Sequence, residues 1–259
     1  MSEPFSKSIS ELREWDCRVW EQTEAQVPEN SVVFAKLVGI HFDLLLGAHN
    51  RNPRRKVSSF ERALRLMAAR CIHILRTTWL ACMTGYQGAW QPLVRALYET
   101  SLTMHYLRLH PEDFSIWTKR DKSPAEARRF WPSAMMKRLN SPEPEQLIIR
   151  GLAEGAHPNP PSLSRLGGYD LKSDTLEISV GQVLTKEEAQ NLSADICLFT
   201  AISAYTIARV VEDALVDGLP NEAQLHEFLN RLTSLTDSVK RERRKGATVF
   251  DLFSEKRRR

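Results

Sequence analysis

Apolar positions along this chain recur mostly at three- and four-residue intervals, the spacing of one face of an α-helix. Val and Thr do not gather into alternating runs, so the reading is an all-α fold. In the first stretch, 9–26, Ile9, Leu12, Trp15 and Val19 make one apolar stripe. Ser8 and Glu11 stand there at the spacing of a capping box. Pro28 breaks this helix. A second helix, 30–49, is strongly apolar and is expected to pack centrally. A polar, basic connector at 50–59 leads to a third helix over 59–84, which turns at Gly85. A fourth helix covers 86–109 and stops before Pro111. So short a connection predicts that the third and fourth helices form an antiparallel hairpin.

Pro111, Pro124, Pro132, Pro142 and Pro144 then interrupt the pattern. Ser123 followed by Pro124 is a cap with proline in the first turn, and it predicts a short helix at 124–130. Others are expected at 132–139 and from about 144 to 154. The proline-rich run 155–161 cannot be regular. Leu176, Ile178 and Val180 alternate within 167–181 and predict a small β-hairpin. Thr185 and Glu188 cap a long helix over 185–216, which Gly218 and Pro220 stop, and a last helix spans 221–244. The expectation is a bundle of about five long helices, with short helices and a small hairpin in the middle segment. Residues 1–245 form a single domain, and 246–259 form a basic, flexible tail.

Charge sharpens this picture. The formal net charge of +4 is unevenly placed. Residues 240–259 hold nine basic groups against three acids, so the rest of the chain is about two units negative. Residues 51–76 hold eight basic groups against Glu61 alone. The third helix sets Arg62, Arg65 and Arg76 in one sector, with Arg70 and His73 beside it. Such a stripe can track phosphates, and it can equally be a solvated helix face.

The N-terminal residues lack an apolar core, so no signal peptide is expected. The uncharged stretch 77–94 is too polar for a bilayer span. The four cysteines are scattered and form no CxxC, which fits core thiols in a reducing cytoplasm. No phosphate-binding glycine loop, HExxH or GxSxG occurs. No cofactor and no metal site are expected. Glu154 and His157 have the spacing of a di-iron carboxylate motif, but no second Glu-x-x-His exists. His41, Asp43 and His49 share a helix, but only His41 and His49 approach one face, and the two histidines read as core or interface residues.

The densest chemistry lies in 89–111, where Arg95 and Glu99 stand one turn apart on a stripe with Leu102, Tyr106 and Leu109. A charged pair among such neighbours is expected to be desolvated and to need specific partners. Arg preceding Glu by four is the weaker local orientation. A third group from another helix is therefore expected. The helix over 185–216 carries Asp195, Arg209 and Asp213 on one stripe. Asp195 or Asp213 would answer Arg95, and Arg209 would answer Glu99. The arrangement is either a structural lock or a polar pocket.

Leu93, Arg95 and Glu99, the Tyr106-Leu pair that closes the hairpin, and the later His157-Pro resemble a family of bacterial all-helical proteins with an LxRxxxE-type central helix. That family loosely resembles the HEPN superfamily, which includes toxin and phage-defence ribonucleases. The resemblance covers roughly 60–215. It implies a metal-free Arg–His pair acting on RNA, usually across a dimer interface. Arg150 and His157 are the residues that match. The resemblance would make His157 the general acid or base and have Arg150 steady the phosphate. Gly151 and Pro158 depart from the family pattern.

The functional expectation is an RNA-binding or RNA-cleaving accessory protein of a bacterial defence or toxin system, cytoplasmic and with no membrane partner. It would use Arg62, Arg65, Arg70 and Arg76 on RNA or another polyanion. The alternative is a non-enzymatic scaffold or regulator that dimerises and recruits a protein partner through the apolar island Val249–Phe253 in its tail.

Overall fold

A computed structural model describes residues 9–50, 56–141, 167–170, 175–178 and 183–214, with positions 230 and 234 helical as well. The long helices are α1 (Ile9–Glu24), α2 (Pro28–Asn50), α3 (Ser59–Met83), α4 (Gln87–Leu109) and α8 (Lys186–Ala214). Between α4 and α8 come a 3-10 turn (Pro111–Asp113) and three short helices, α5 (Phe114–Thr118), α6 (Pro124–Arg128) and α7 (Pro132–Arg138). Strands β1 (Gly167–Asp170) and β2 (Thr175–Ile178) pair antiparallel, with Gly167 opposite Ile178. The fold is all-α, as the 3.6-residue periodicity predicts, and the hairpin is its one departure among the described residues.

Local signals set the helix ends. Pro28 does more than stop α1: it opens α2, where a missing N–H costs nothing. Ser58 caps α3 by accepting from the Glu61 amide at 3.1 Å. At the other end Gly85 has φ +75°. Its amide donates to Cys82 O at 3.1 Å, and that of Tyr86 to Ala81 O at 2.8 Å. This pair of bonds reverses the chain in three residues and produces the α3–α4 hairpin. Asn140, at φ 51°, ends α7 the same way, with Ser141 donating to Met136 O at 2.9 Å. Thr185 and Glu188 make the expected reciprocal caps on α8.

The core sits where α8 packs against α2, α3 and α4, while α2 also packs on α3. Leu37, Ile40, Leu75, Leu97, Met104 and Ile207 are among its buried side chains. Phe34 of α2 stacks on Trp79 of α3 with centroids 4.2 Å apart. Polar bonds fix the α2–α8 register. Asn30 donates to Ser193 Oγ at 2.7 Å, and Gln26 to Leu184 O at 3.1 Å. Within α8, Lys186–Val210 is long and apolar enough to cross a membrane by length and composition, but 67% of its apolar window is buried in the bundle.

The apolar stripe of α1 is only partly covered. Val19 is buried, whereas Leu12 and Trp15 are exposed, and Arg18 lies over the Trp15 ring at 5.4 Å. Tyr86 donates to Asp16 at 3.1 Å and ties this helix to the hairpin turn. The helices expected at 144–154 and 221–244, apart from positions 230 and 234, and the tail 246–259 lie outside the described residues.

Candidate functional site

Arg95 and Glu99 are not sealed from water. Arg95 Nε donates to Glu99 Oε1 at 2.7 Å, and the two side chains are 26% and 34% exposed. The stripe they share also carries Leu102 and Tyr106, which are buried, but its two charged positions lie at the edge of the α4 interface. Their neighbours Val94, Leu97 and Tyr98 take the buried positions. The expectation of a desolvated pair is thereby corrected. Arg209 donates to the Tyr205 hydroxyl at 3.1 Å and lies over that ring at 5.3 Å, and Tyr205 is exposed. Asp195 is buried on α8. The Asp213 side chain, together with Arg150, Glu154 and His157, lies outside what the structure describes.

The ionic knot of this protein lies one stretch further on, where the sequence did not advertise it. Tyr106 near the end of α4 is fully buried, and its hydroxyl donates to Asp113 Oδ2. Asp113 is itself buried, at the end of the 3-10 turn. Arg138 of α7 donates through Nη1 to both the Tyr106 oxygen and Asp113 Oδ2. Arg129, just past α6, donates to Asp113 Oδ1 at 2.9 Å. One carboxylate therefore gathers three donors from three elements. The Arg138 guanidinium lies 5.2 Å from the centre of the Tyr106 ring, and Phe130 meets that ring edge-on.

The electrostatics follow from this geometry. Burial pushes the Tyr106 phenol up to about 12, helped by the adjacent Asp113 charge. Burial also works against the Asp113 carboxylate, but the Tyr106 hydroxyl and the Arg138 and Arg129 cations outweigh it and hold its pKa below the ordinary value. A protonated phenol and an ionised carboxylate are thus fixed together at neutral pH. With the phenol fully buried and the carboxylate nearly so, no reacting molecule reaches them, so the knot locks the short-helix arm onto α4.

The face of α3 is the other charged feature. Its exposed positions are Ser59, Arg62, Leu66, Arg70, His73, Arg76, Thr77 and Leu80. No acid stands among them. Glu61, the helix's only acid, is buried and bonded to Arg65 at 2.6 Å. Arg65 therefore differs from the other three arginines expected to bind phosphates, because its charge is already answered inside the protein.

Other candidates are inert. His41 is fully buried, and its Nδ1 donates to Leu37 O at 2.8 Å. Burial lowers its pKa to about 4, so the ring is neutral, and Nε2 has no partner among the described residues. Asp43 is exposed, and the His49 side chain is outside the described set. Cys71, Cys82 and Cys197 are buried free thiols, whereas Cys17 is exposed rather than in the core. Burial pushes Cys82 up to about 12 and raises Cys197 and Cys71, in the last case against the Ser203 and Ser101 hydroxyls beside it. Among the described residues no group of three His, Cys, Asp or Glu is placed to hold a metal ion. The chain matches no protein-family model, no curated protein and no solved structure, so the reading of its function rests on its own residues.

Proposed function

We propose that the protein binds single-stranded RNA, or a polyanion like it, along the exposed face of α3. The observation that carries this reading is a solvent face bearing Arg62, Arg70, His73 and Arg76 with no carboxylate among its exposed positions. From Arg62 to Leu80 the face runs about 27 Å at 1.5 Å per residue. Most solvated helices alternate the sign of their charge, and one that does not projects a positive field. Each phosphate neutralised releases condensed counterions, so such binding is steeply salt-dependent. The HEPN resemblance adds a setting, that of an accessory protein in a bacterial defence or toxin system. RNA cleavage would depend on Arg150 and His157, which lie outside the described residues, and is not part of the proposal.

The test is fluorescence polarisation of a labelled single-stranded RNA across a salt series. Charge reversal of three exposed residues, Arg62→Glu, Arg70→Glu and Arg76→Glu, is expected to weaken binding and to flatten the log–log salt slope by about two. Negligible binding of the native protein at low salt, or an unchanged slope in the triple variant, overturns the reading.

A second reading has its own observation. Leu66, His73 and Leu80 are exposed at seven-residue intervals on the same face, the seam spacing of a helix that docks on another helix. Flanked by arginines, that seam suits an acidic amphipathic helix from a partner protein. The replacements Leu66→Ser and Leu80→Ser would weaken such a partner and leave RNA binding intact.

A further inference from the structure

Most of α2 is core, yet one face of it is uncovered. Phe34, Leu37, Ile40, His41 and Leu44 are buried in the bundle. On the other side Val32, Ala35, Gly39 and Phe42 follow one another at intervals of three, four and three residues, the spacing of a helix–helix seam. Val32 is 53% exposed, Phe42 is 40% exposed, and Ala35 is exposed as well. Gly39 stands in the middle of this seam. A β-carbon there would meet nothing within 4 Å, so the packing of a single chain gives no reason for a glycine. Glycine inside a helix is destabilising relative to alanine, and it suits a place where another group must come close to the backbone.

The charges along the seam identify what approaches. Lys36 and Asp43 each follow a seam residue, Ala35 and Phe42, so they line one edge. Both are exposed, and no ion pair among the described residues uses either. The opposite edge, Ser31, Val38 and Leu45, carries no charge. Two such helices in parallel would set each charged edge against an uncharged one, whereas antiparallel helices set the charged edges against each other. Placing Lys36 level with Asp43 of a second copy also places Asp43 level with Lys36 of that copy, because a two-fold axis repeats every contact. In that register Phe42 stands about 3 Å along the axis from Gly39 of the second copy, at 1.5 Å per residue. Its side chain leans toward its own N-terminus, which carries it over that glycine.

We propose that two copies of this chain pair antiparallel through α2, with Phe42 of each seated on Gly39 of the other and Lys36 of each paired with Asp43 of the other. The seam from Val32 to Phe42 is about 15 Å long at 1.5 Å per residue. A contact this short lies at the small end of protein interfaces, so the association is reversible, with a Kd on the order of 10 µM. The pairing rests on the α2 residues alone, and it stands or falls independently of RNA binding at the α3 face.

The experiment is sedimentation velocity of the full chain at low salt, from about 1 to about 200 µM, a range that brackets the expected Kd. The native protein is expected to pass from monomer to dimer across it. Phe42→Ser is expected to weaken association about tenfold or more. Lys36→Glu sets acid against acid in both pairs, and Asp43→Lys sets base against base, so each variant alone is expected to associate about tenfold more weakly or worse. Mixed in equal amounts, these two variants again set acid against base in both pairs, and the dimer should return. All three positions are exposed, so each variant should keep the native circular-dichroism spectrum. A native chain that stays monomeric throughout the range, a dimer that the three substitutions leave unchanged, or a mixture that does not restore association overturns the proposal.

Discussion

Asp113→Asn tests whether the buried knot holds the short-helix arm in place. The carboxylate accepts from Tyr106, Arg129 and Arg138, and asparagine removes the charge while keeping the shape. Breaking one side of a fully buried ion pair costs about 3–5 kcal/mol. Here the two arginines are partly exposed and turn back to water, which lowers that figure. The Tyr106 hydroxyl has no such escape, and leaving a buried donor poorly answered costs about 1–3 kcal/mol. The expected loss is therefore about 2–3 kcal/mol, or roughly 5–10 °C in Tm for a chain of this size. Tyr106→Phe removes only the hydroxyl and should cost about 1 kcal/mol. The pH dependence provides an independent check. The Asp113 pKa is depressed by folding, so its contribution is present above the ordinary carboxylate pKa and is lost as pH falls through the lowered value. The gap between native and Asp113→Asn, followed by urea unfolding, should close in acid. The Tyr106 pKa is raised to about 12, so its contribution is full below pH ~10 and is lost as pH rises through 12. Tyr106→Phe should lack that alkaline decline. An Asp113→Asn protein within about 0.5 kcal/mol of native at pH 7 would refute the lock, because surface substitutions fall in that range.

Two further expectations concern the bundle itself, beside those for the α3 face. His41→Gln should remove a loss of stability between pH 6.5 and 4, worth up to about 3 kcal/mol, because the lowered pKa means that the buried ring must be charged as pH falls. Urea midpoints at pH 7 and pH 4.5 decide it, and an identical decline in native and variant rejects the assignment. Glu99→Gln should cost no more than about 1 kcal/mol, since the pair is half-exposed. A loss of 3 kcal/mol or more in thermal unfolding would mean the pair is enclosed after all.

The sequence exposed those parts of the fold whose causes are local. The α3–α4 hairpin is visible because Gly85 sits between two periodic stretches, and the α6 and α8 starts because Ser123 and Thr185 precede Glu126 and Glu188 by three. Tyr106 and Asp113 were not recognisable as partners. Tyr106 reads as one more apolar stripe residue, and Asp113 as a surface acid after a proline. Only the fold brings Arg129 and Arg138 from two later helices onto the same carboxylate. The Arg95–Glu99 error has the opposite origin. A wheel gives the angle between residues on one helix but not the direction from which the neighbouring helices arrive, and here they arrive over Val94, Leu97 and Tyr98. The α3 cations needed no tertiary information, but the neutralisation of Arg65 by a buried Glu61 did.

The bond from Asn30 to Ser193 spans 163 residues of chain. On a ribosome, α2, α3 and α4 emerge well before α8, and at 5–20 residues per second the gap lasts from several seconds to about fifteen. Throughout that interval the seat of α8 on the three earlier helices is bare to solvent, a greasy trough with no lid. Slow synthesis across the intervening stretch therefore lengthens the period of vulnerability to aggregation, whereas rapid arrival of the final core helix ends it.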